Sequence, residues 1–230
     1  MDIKESIEKR KSIRAFKPDP VPQATLKELM ELALRAPSWR NTQPWDFIIA
    51  AGSKLEAIKQ GFTEKAGARQ ESMPDIARPQ EFPEPYASRR RPANRPPDRP
   101  TQTAQTPQTP QAPPVRIPNT RFYGAPALIY ICTGRSFYFQ SKGINSWAIF
   151  DCGLIAENIM LLAPNYRLGT IALAQAVTHP DVLRRVLEIP DSLLAVLGIA
   201  IGYPDLDDPV NQRRSVREPL SQVVKWYGFD

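Results

Sequence analysis

Ala36-Pro37-Ser38-Trp39-Arg40-Asn41-Thr42-Gln43-Pro44-Trp45 runs directly into Asp46-Phe47-Ile48-Ile49-Ala50. The first ten residues read as a loop, with amide and hydroxyl side chains beside two indoles. The next five read as a buried strand. A polar and aromatic loop at a strand end is a normal place for a ligand. The plainer reading is a packed loop with Trp45 in the core, because Trp is so often buried. A helix precedes the loop. Pro22 or Gln23 opens it, and Leu26, Leu29, Met30 and Ala33 follow helical spacing. It stops before Pro37, which disfavours helical geometry at Ala36.

Further upstream lies Arg10-Lys11-Ser12-Ile13-Arg14. Residues 2 to 9 form a short helix with Ile3 and Ile7 one turn apart. That helix delivers the cluster, and Pro18, Pro20 and Pro22 then mark an extended connection. Three cations and a hydroxyl in five residues can hold a dianionic phosphate, Arg supplying forked geometry. A solvated basic turn is the plainer alternative. A second cluster, Arg213-Arg214-Ser215-Val216-Arg217, could converge on the same phosphate.

Downstream, Lys54 to Gln60 reads as a helix, and residues 71 to 86 as an extended surface loop. Between Pro92 and Pro118 there are nine prolines in 27 residues, with Thr-Gln repetition. Such a segment cannot bury enough surface to offset its ordering entropy, so it is expected to be disordered or polyproline-like. Ala125 to Cys132 is a buried strand, rich in β-branched and aromatic residues. Trp147 to Ala163 is a long apolar helix ended by Pro164, which lacks the donor the ladder needs. Leu168 to Leu173 is a turn and strand. Pro180 to Leu187 is a helix with His179 as its expected cap, and Leu193 to Ile201 is another buried strand. Val223, Val224 and Trp226 form an apolar tail that needs a surface to cover.

The 230 residues are 42% hydrophobic, enough for a real core, and include 25 prolines. The charged N-terminus has no signal-peptide pattern. The longest apolar stretches are too short to span a bilayer. Cys132 and Cys152 have no metal-ligand spacing. A cytoplasmic protein that binds neither membrane nor metal is expected. The net charge of +6 equals the seven arginines less one acid of residues 89 to 121, so the rest of the chain is neutral. This argues against nucleic acid as partner. There is no Gly-x-Ser-x-Gly elbow, zinc motif, phosphate-cradling loop or dinucleotide fingerprint. With one histidine and little acid–base machinery, an organic cofactor must carry any chemistry.

Taken in order, Arg-Lys-Ser-Ile-Arg at 10 to 14, Ala-Pro-Ser-x-x-Asn-x-Gln-Pro-Trp at 36 to 45, Phe-Asp-x-Gly at 150 to 153, Leu-Gly-Thr at 168 to 170, Ile-Gly-Tyr-Pro-Asp at 201 to 205 and Arg-x-Pro-Leu at 217 to 220 resemble the FMN-dependent nitroreductase family. The resemblance covers residues 1 to 86 and 120 to 230. It implies an α+β fold, a central mostly antiparallel sheet wrapped by helices, in an intertwined homodimer. The chain is then a single domain over 1–230, interrupted by the Pro/Arg/Thr/Gln-rich segment at about 89–120, where the family usually has a helical wall beside the substrate. The resemblance further implies two FMN molecules at the dimer interface. Carried over by position, Arg10, Lys11, Ser12 and Arg14 would hold the phosphate and ribityl end, with Arg217 and Arg214 completing it. Pro37, Ser38 and Asn41 would reach the flavin from the partner subunit, with Gln43 nearby. Backbone groups of Ala174 and Gln175 face flavin N5 and O4, and no side chain acts as a catalytic nucleophile. The apolar tail embraces the other subunit. The implied reaction is ping-pong reduction of nitroaromatics, quinones or similar small-molecule acceptors by NAD(P)H. Enone reduction, dehalogenation and flavin reduction are alternatives on the same scaffold. Outside enzymes, the alternative is a flavin-binding protein with a proline-rich docking loop. Pro164 stops a helix that continues in the family, an expected disturbance to the approach of Leu168–Gln175.

Overall fold

A computed structural model of the protein describes residues 1–89 and 118–229. They fall into two compact units. One combines Met1–Arg78 with Pro114–Gln212, and the other Pro79–Pro113 with Arg213–Asp230. The proline-rich stretch at 92–118 lies outside the described residues, except for Pro118.

In chain order the first unit contains α1 (Ile3–Lys9), α2 (Gln23–Ala33), β1 (Asp46–Ala51) and α3 (Gly52–Gly67). The second unit contributes α4 (Tyr86–Arg89). The first resumes with β2 (Ala127–Gly134), α5 (Arg135–Tyr138) and the small hairpin β3 (Phe139–Gln140) and β4 (Gly143–Ile144). Then come α6 (Ser146–Leu162), β5 (Gly169–Leu173), α7 (Pro180–Leu187) and β6 (Leu193–Gly202), and the second unit ends with α8 (Leu220–Val223). The main sheet has the order β1-β2-β6-β5 and is antiparallel throughout.

Pleating explains the layers. Successive strand side chains point to opposite faces. Ala127, Ile129 and Ile131 of β2 pack with Leu26, Leu29, Met30, Ile155 and Ile159 from α2 and α6. Leu128, Tyr130 and Cys132 pack with Leu55, Ile58, Phe62, Val182 and Leu183 from α3 and α7. A sheet covered on both faces has central strands that are apolar at every position, which is why β2 reads as a continuous run. Burial on α6 recurs at Ala148, Asp151, Cys152, Ile155, Ala156 and Ile159, one face of a helix. By length and composition Ser146–Tyr166 could cross a membrane, contrary to the sequence expectation that no stretch is long enough. Here one face of the helix covers the sheet, through Cys152, Ile155, Ala156 and Ile159.

Several local expectations change. α3 is longer than Lys54–Gln60, because Leu55, Ile58 and Phe62 extend its buried stripe. Ile3 and Ile7 are 67% and 58% exposed, while Ser6 is buried, so α1 turns its isoleucines outward. Pro164 opens no gap. It sits in a 3-10 turn, Ala163–Tyr166, and left-handed Arg167 (φ 59°) swings the chain into β5. β5 then pairs in unbroken register with β6, from Gly169↔Gly202 to Leu173↔Gly198.

The turn after β5 rests on Gly198. A Cβ there would stand 2.5 Å from the Ala176 Cβ. We expect Gly198→Ala to overpack this contact and cost about 1–3 kcal/mol, read as a lower urea midpoint at unchanged slope.

Candidate functional site

The basic cluster is bound to the sheet as an extra extended segment. Ser12 forms a parallel bridge with Thr170 of β5, and Ile13 N–H donates to the Thr170 carbonyl at 3.0 Å. Farther on, Lys17 N–H donates to the Tyr203 carbonyl (2.8 Å) and Asp205 N–H to the Ala15 carbonyl (3.0 Å). Residues 12 to 17 thus lie between β5 and 203–205. The approach is close enough to require glycine at 169, where a Cβ would stand 2.5 Å from Ile13 Cγ1.

One side chain locks this segment. Asn211 is fully buried. Its Oδ1 accepts from Arg14 N–H at 2.7 Å, and its Nδ2 donates to the Ala15 and Asp205 carbonyls at 2.8 and 2.7 Å. Its own carbonyl accepts from Lys11 Nζ. The amide therefore uses both ends, as a buried amide must. Arg14 Nη1 reaches the Ser12 carbonyl at 3.4 Å, and Arg10 Nε stands 3.8 Å from Glu157 Oε1. A cleft of about 410 Å³ borders the cluster, with Lys9, Arg10, Lys11 and Arg167 among its lining and Ile13, Met160, Leu168, Pro204 and Leu206 supplying apolar wall.

Ala174 and Gln175 follow on the same strand, opening a 3-10 turn. Four residues at about 3.3 Å each put Ala174 roughly 13 Å from Thr170. Basic side chains at one end of β5 and the opening amides of a 3-10 turn at the other suit an elongated anionic ligand. The first N–H groups of a helical turn have no acceptor within it.

The Ser38–Gln43 loop is anchored elsewhere. Asp151, buried on α6, accepts from Trp39 N–H at 3.1 Å, and Ser38 Oγ accepts from Gln43 N–H at 3.0 Å. Arg40, Asn41 and Gln43 all have positive φ, at 49°, 56° and 44°. Left-handed non-glycine backbone persists only where the surroundings hold it, and it concentrates at functional sites. Pro37, Asn41 and Gln43 are exposed and Ser38 is half-buried. Trp45 is 7% exposed and belongs to the core.

The loop enters the sheet at Asp46, opposite Cys132, which in turn faces Ala195. Ser12 meets Thr170, opposite Ile201. From Ala195 to Ile201 is about 20 Å along β6, and β1 and β5, the outer strands, are about 14 Å apart at ~4.8 Å per strand. Within one chain the roots of the two halves occupy opposite corners. Arg214 and Arg217 belong to the second unit and are exposed. Arg217 Nη1 donates to the Ser215 and Val216 carbonyls at 3.2 Å each.

His179 does not cap α7 with its side chain. It is 6% exposed and packs edge-on against Phe62, centroids 5.3 Å apart. Burial holds its pKa below the usual value, with nearby Lys65 and Arg78 adding to the effect. Burial also pushes the Cys132 and Cys152 thiols up to about 12, so neither is nucleophilic near neutrality. Sequence reading missed Asn211, whose only signal is its place just before the second basic cluster. It also passed over Asp151 as an anchor, although a lone acid on the buried face of an apolar helix is itself a signal.

The sequence profile of the nitroreductase family matches residues 7–203. A nitrobenzene nitroreductase of Ectopseudomonas oleovorans is 30% identical, across 96% of this chain and 95% of that protein. A 4-nitrobenzoate reductase of Nocardioides sp. (strain LMS-CY) is 25% identical, across 96% of this chain and 88% of that protein. The crystal structure of the FMN and NADPH-dependent nitroreductase NfnB from Sphigopyxis sp. strain HMH has the same fold, with a TM-score of 0.83, 24% identity and full coverage of both chains.

Asn211→Ala removes the side-chain partner of the Arg14 N–H and the Asp205 carbonyl, and one of the two donors to the Ala15 carbonyl, and is expected to cost about 2–3 kcal/mol, measured by urea unfolding. His179 offers a cleaner readout, being the only histidine. A lowered folded pKa means the native state binds the proton less readily than the unfolded chain. Stability is therefore full above the unfolded value of about 6.5 and falls as pH drops through the lower folded value. The single imidazole NMR signal should titrate below pH ~6.5, and His179→Gln should flatten that limb of the stability curve.

Proposed function

The chain belongs to the nitroreductase family, and on that premise we propose that it is an FMN-dependent oxidoreductase. It takes its electrons from NADH or NADPH and delivers them to nitroaromatic, quinone or similar small acceptors. The relatives are named for such nitroaromatic substrates, and NfnB for FMN and NADPH. The observation that carries the reading is the layout of β5, with Arg10, Lys11, Ser12 and Arg14 beside Thr170 and the Ala174–Gln175 turn at the other end.

The donor set suits FMN. Cationic side chains and a serine hydroxyl match a phosphate monoester, and amide N–H groups match the polar edge of an isoalloxazine ring. Bound FMN would supply the hydride chemistry, accepting from NAD(P)H and, once NAD(P)⁺ has left, donating to the acceptor in a ping-pong cycle. The chain's own residues would do the rest. Arg10, Ser12 and Arg14 hold the phosphate end, with Arg217 and Arg214 as further phosphate donors. Lys11, tied to the Asn211 carbonyl, sets the path of the cluster and adds positive potential. Gln175 N–H and its neighbour hold the ring edge and steady charge that develops there. The buried histidine and thiols take no part.

Pro37, Ser38, Asn41 and Gln43 belong to the flavin of a second copy in this reading. The support is geometric: their loop roots at the corner of the sheet opposite the phosphate donors. A homodimer also gives a role to Ile3, Ile7, Trp147 and Phe150, all more than half exposed. Trp226, Tyr227 and Phe229 of the tail, 64%, 81% and 77% exposed, need cover as well. Both units then belong to one nitroreductase-like domain acting in the cytoplasm.

Purified protein should be yellow, or become so with FMN. NAD(P)H should bleach it anaerobically, and a nitroaromatic should restore the colour. Initial rates at several acceptor concentrations should give parallel double-reciprocal lines. Protein that stays colourless with added FMN would overturn the proposal. Arg14→Ala should weaken FMN binding by about 1.5–3 kcal/mol, the worth of a hydrogen bond to a charged group, measured by quenching of flavin fluorescence.

A further inference from the structure

The turn that opens with Ala174 and Gln175 is held by a strap, Met73 to Arg78. Met73 N–H donates to the Thr178 carbonyl at 3.0 Å. At the other end of the turn, the Arg78 guanidinium donates to the Ala174 carbonyl. Between these grips Asp75 fastens the strap to the body of the fold. Its carboxylate accepts from Arg184 Nη2 on α7 at 3.1 and 3.0 Å, and from Ala195 N–H on β6 at 2.9 Å. Arg184 is fixed in turn by the Leu193 carbonyl at 3.1 Å. Inside the turn, Thr178 Oγ1 donates to the Gln175 carbonyl at 2.9 Å. Strap and turn are thus rigid with respect to each other, and Arg78 reaches the turn from a fixed side.

The Ala174 carbonyl and the Gln175 N–H are the two ends of a single peptide unit. The unit is planar, and in the trans form its C=O and N–H point in opposite directions. A guanidinium that holds the carbonyl therefore aims the N–H away from itself. Arg78 is partly buried, enough to push its pKa below the usual range for a guanidinium, but arginine remains a cation there. A cation on the carbonyl withdraws electron density along the peptide and makes the opposite N–H a stronger donor, by the polarisation that links hydrogen bonds in series.

We infer that Arg78 is a positioning residue for the cofactor, holding the Ala174–Gln175 peptide so that the Gln175 N–H faces the flavin edge as a fixed, strengthened donor. This rests on the reading that the turn meets FMN. Arg78 acts through the peptide and touches neither cofactor nor substrate. A donor already in place needs no reorganisation when negative charge arrives at the ring. It therefore favours the electron-rich state of the bound flavin over the oxidised one. The sequence carries no hint of this. Arg78 lies nearly a hundred residues from the turn, among the polar and proline residues of a surface loop.

The test is the midpoint potential of FMN bound to the full-length protein, with the FMN dissociation constant and the melting temperature of the FMN-free protein measured alongside. Arg78→Met should lower the affinity ratio of two-electron-reduced to oxidised FMN about tenfold, a shift of about 30 mV to more negative potential. Arg78→Lys, which keeps the charge but not the fork, should recover part of the shift. FMN-loaded Arg78→Met at the wild-type potential overturns the inference, whatever its melting temperature, because a merely structural role predicts that result. Should Arg78→Met not fold, an unshifted potential in Arg78→Lys overturns it equally. Wild-type protein that takes up no FMN removes the underlying reading and this inference with it, an outcome distinct from an unshifted variant.

Discussion

Asn211 is the side chain on which the conformation of the basic segment depends. Its amide joins Arg14, Ala15 and Asp205, adding side-chain bonds to the backbone pairing that already runs between the two segments. With the Ser12–Thr170 bridge, it turns a flexible basic stretch into a fifth extended element at the β5 edge. Lone cations on a surface contribute little to binding a phosphate, because each must first be ordered. Here the backbone that carries them is ordered before any ligand arrives. Gly169 is the counterpart of Asn211 on the strand, since any larger residue would push Ile13 away.

The same device recurs at the other end of β5 and in the Trp39 loop. Each segment proposed to face the ligand is irregular, and each is tied down by a charged or amide side chain from elsewhere in the fold. Asp151 of α6 holds Trp39 N–H, and Arg78, fixed through Asp75, holds the Ala174 carbonyl. Three left-handed residues in the Trp39 loop show that its shape is imposed and not relaxed. An enzyme whose cofactor does the chemistry needs little else from the chain than such placement.

The separation of the Trp39 loop from the basic segment bears on the proposed homodimer. A four-stranded sheet is wide enough to separate a loop that enters β1 from a segment bound to β5, and the antiparallel order puts their roots at opposite ends as well. Aromatic and aliphatic residues on α1, on the first turn of α6 and in the tail are exposed, the surface that the proposed second copy would cover. Apolar area of this kind is what an interface with another chain would cover.

Much was legible in the sequence. Helical spacing at Leu26, Leu29, Met30 and Ala33 located α2, and continuous apolar runs located β2 and β6, because burial on one face or two leaves a period that can be read. The ordered motifs named the family. Other features follow from distant contacts. Ile3 and Ile7 carry an inward-looking pattern, yet they face out, and α3 outruns its visible period. His179 stands at a capping position but packs against Phe62. Asn211, Asp151 and Arg78 hold backbone atoms far away in the chain, and a side chain's partner across such a distance leaves no local periodicity. The sequence by itself therefore determined the elements, the core and the ligand-capable motifs, each set by chemistry within a few residues. Only the tertiary structure decided which of those motifs lie along one strand and what holds them there, since hydrogen bonds across the fold depend on where the sheet brings the segments together.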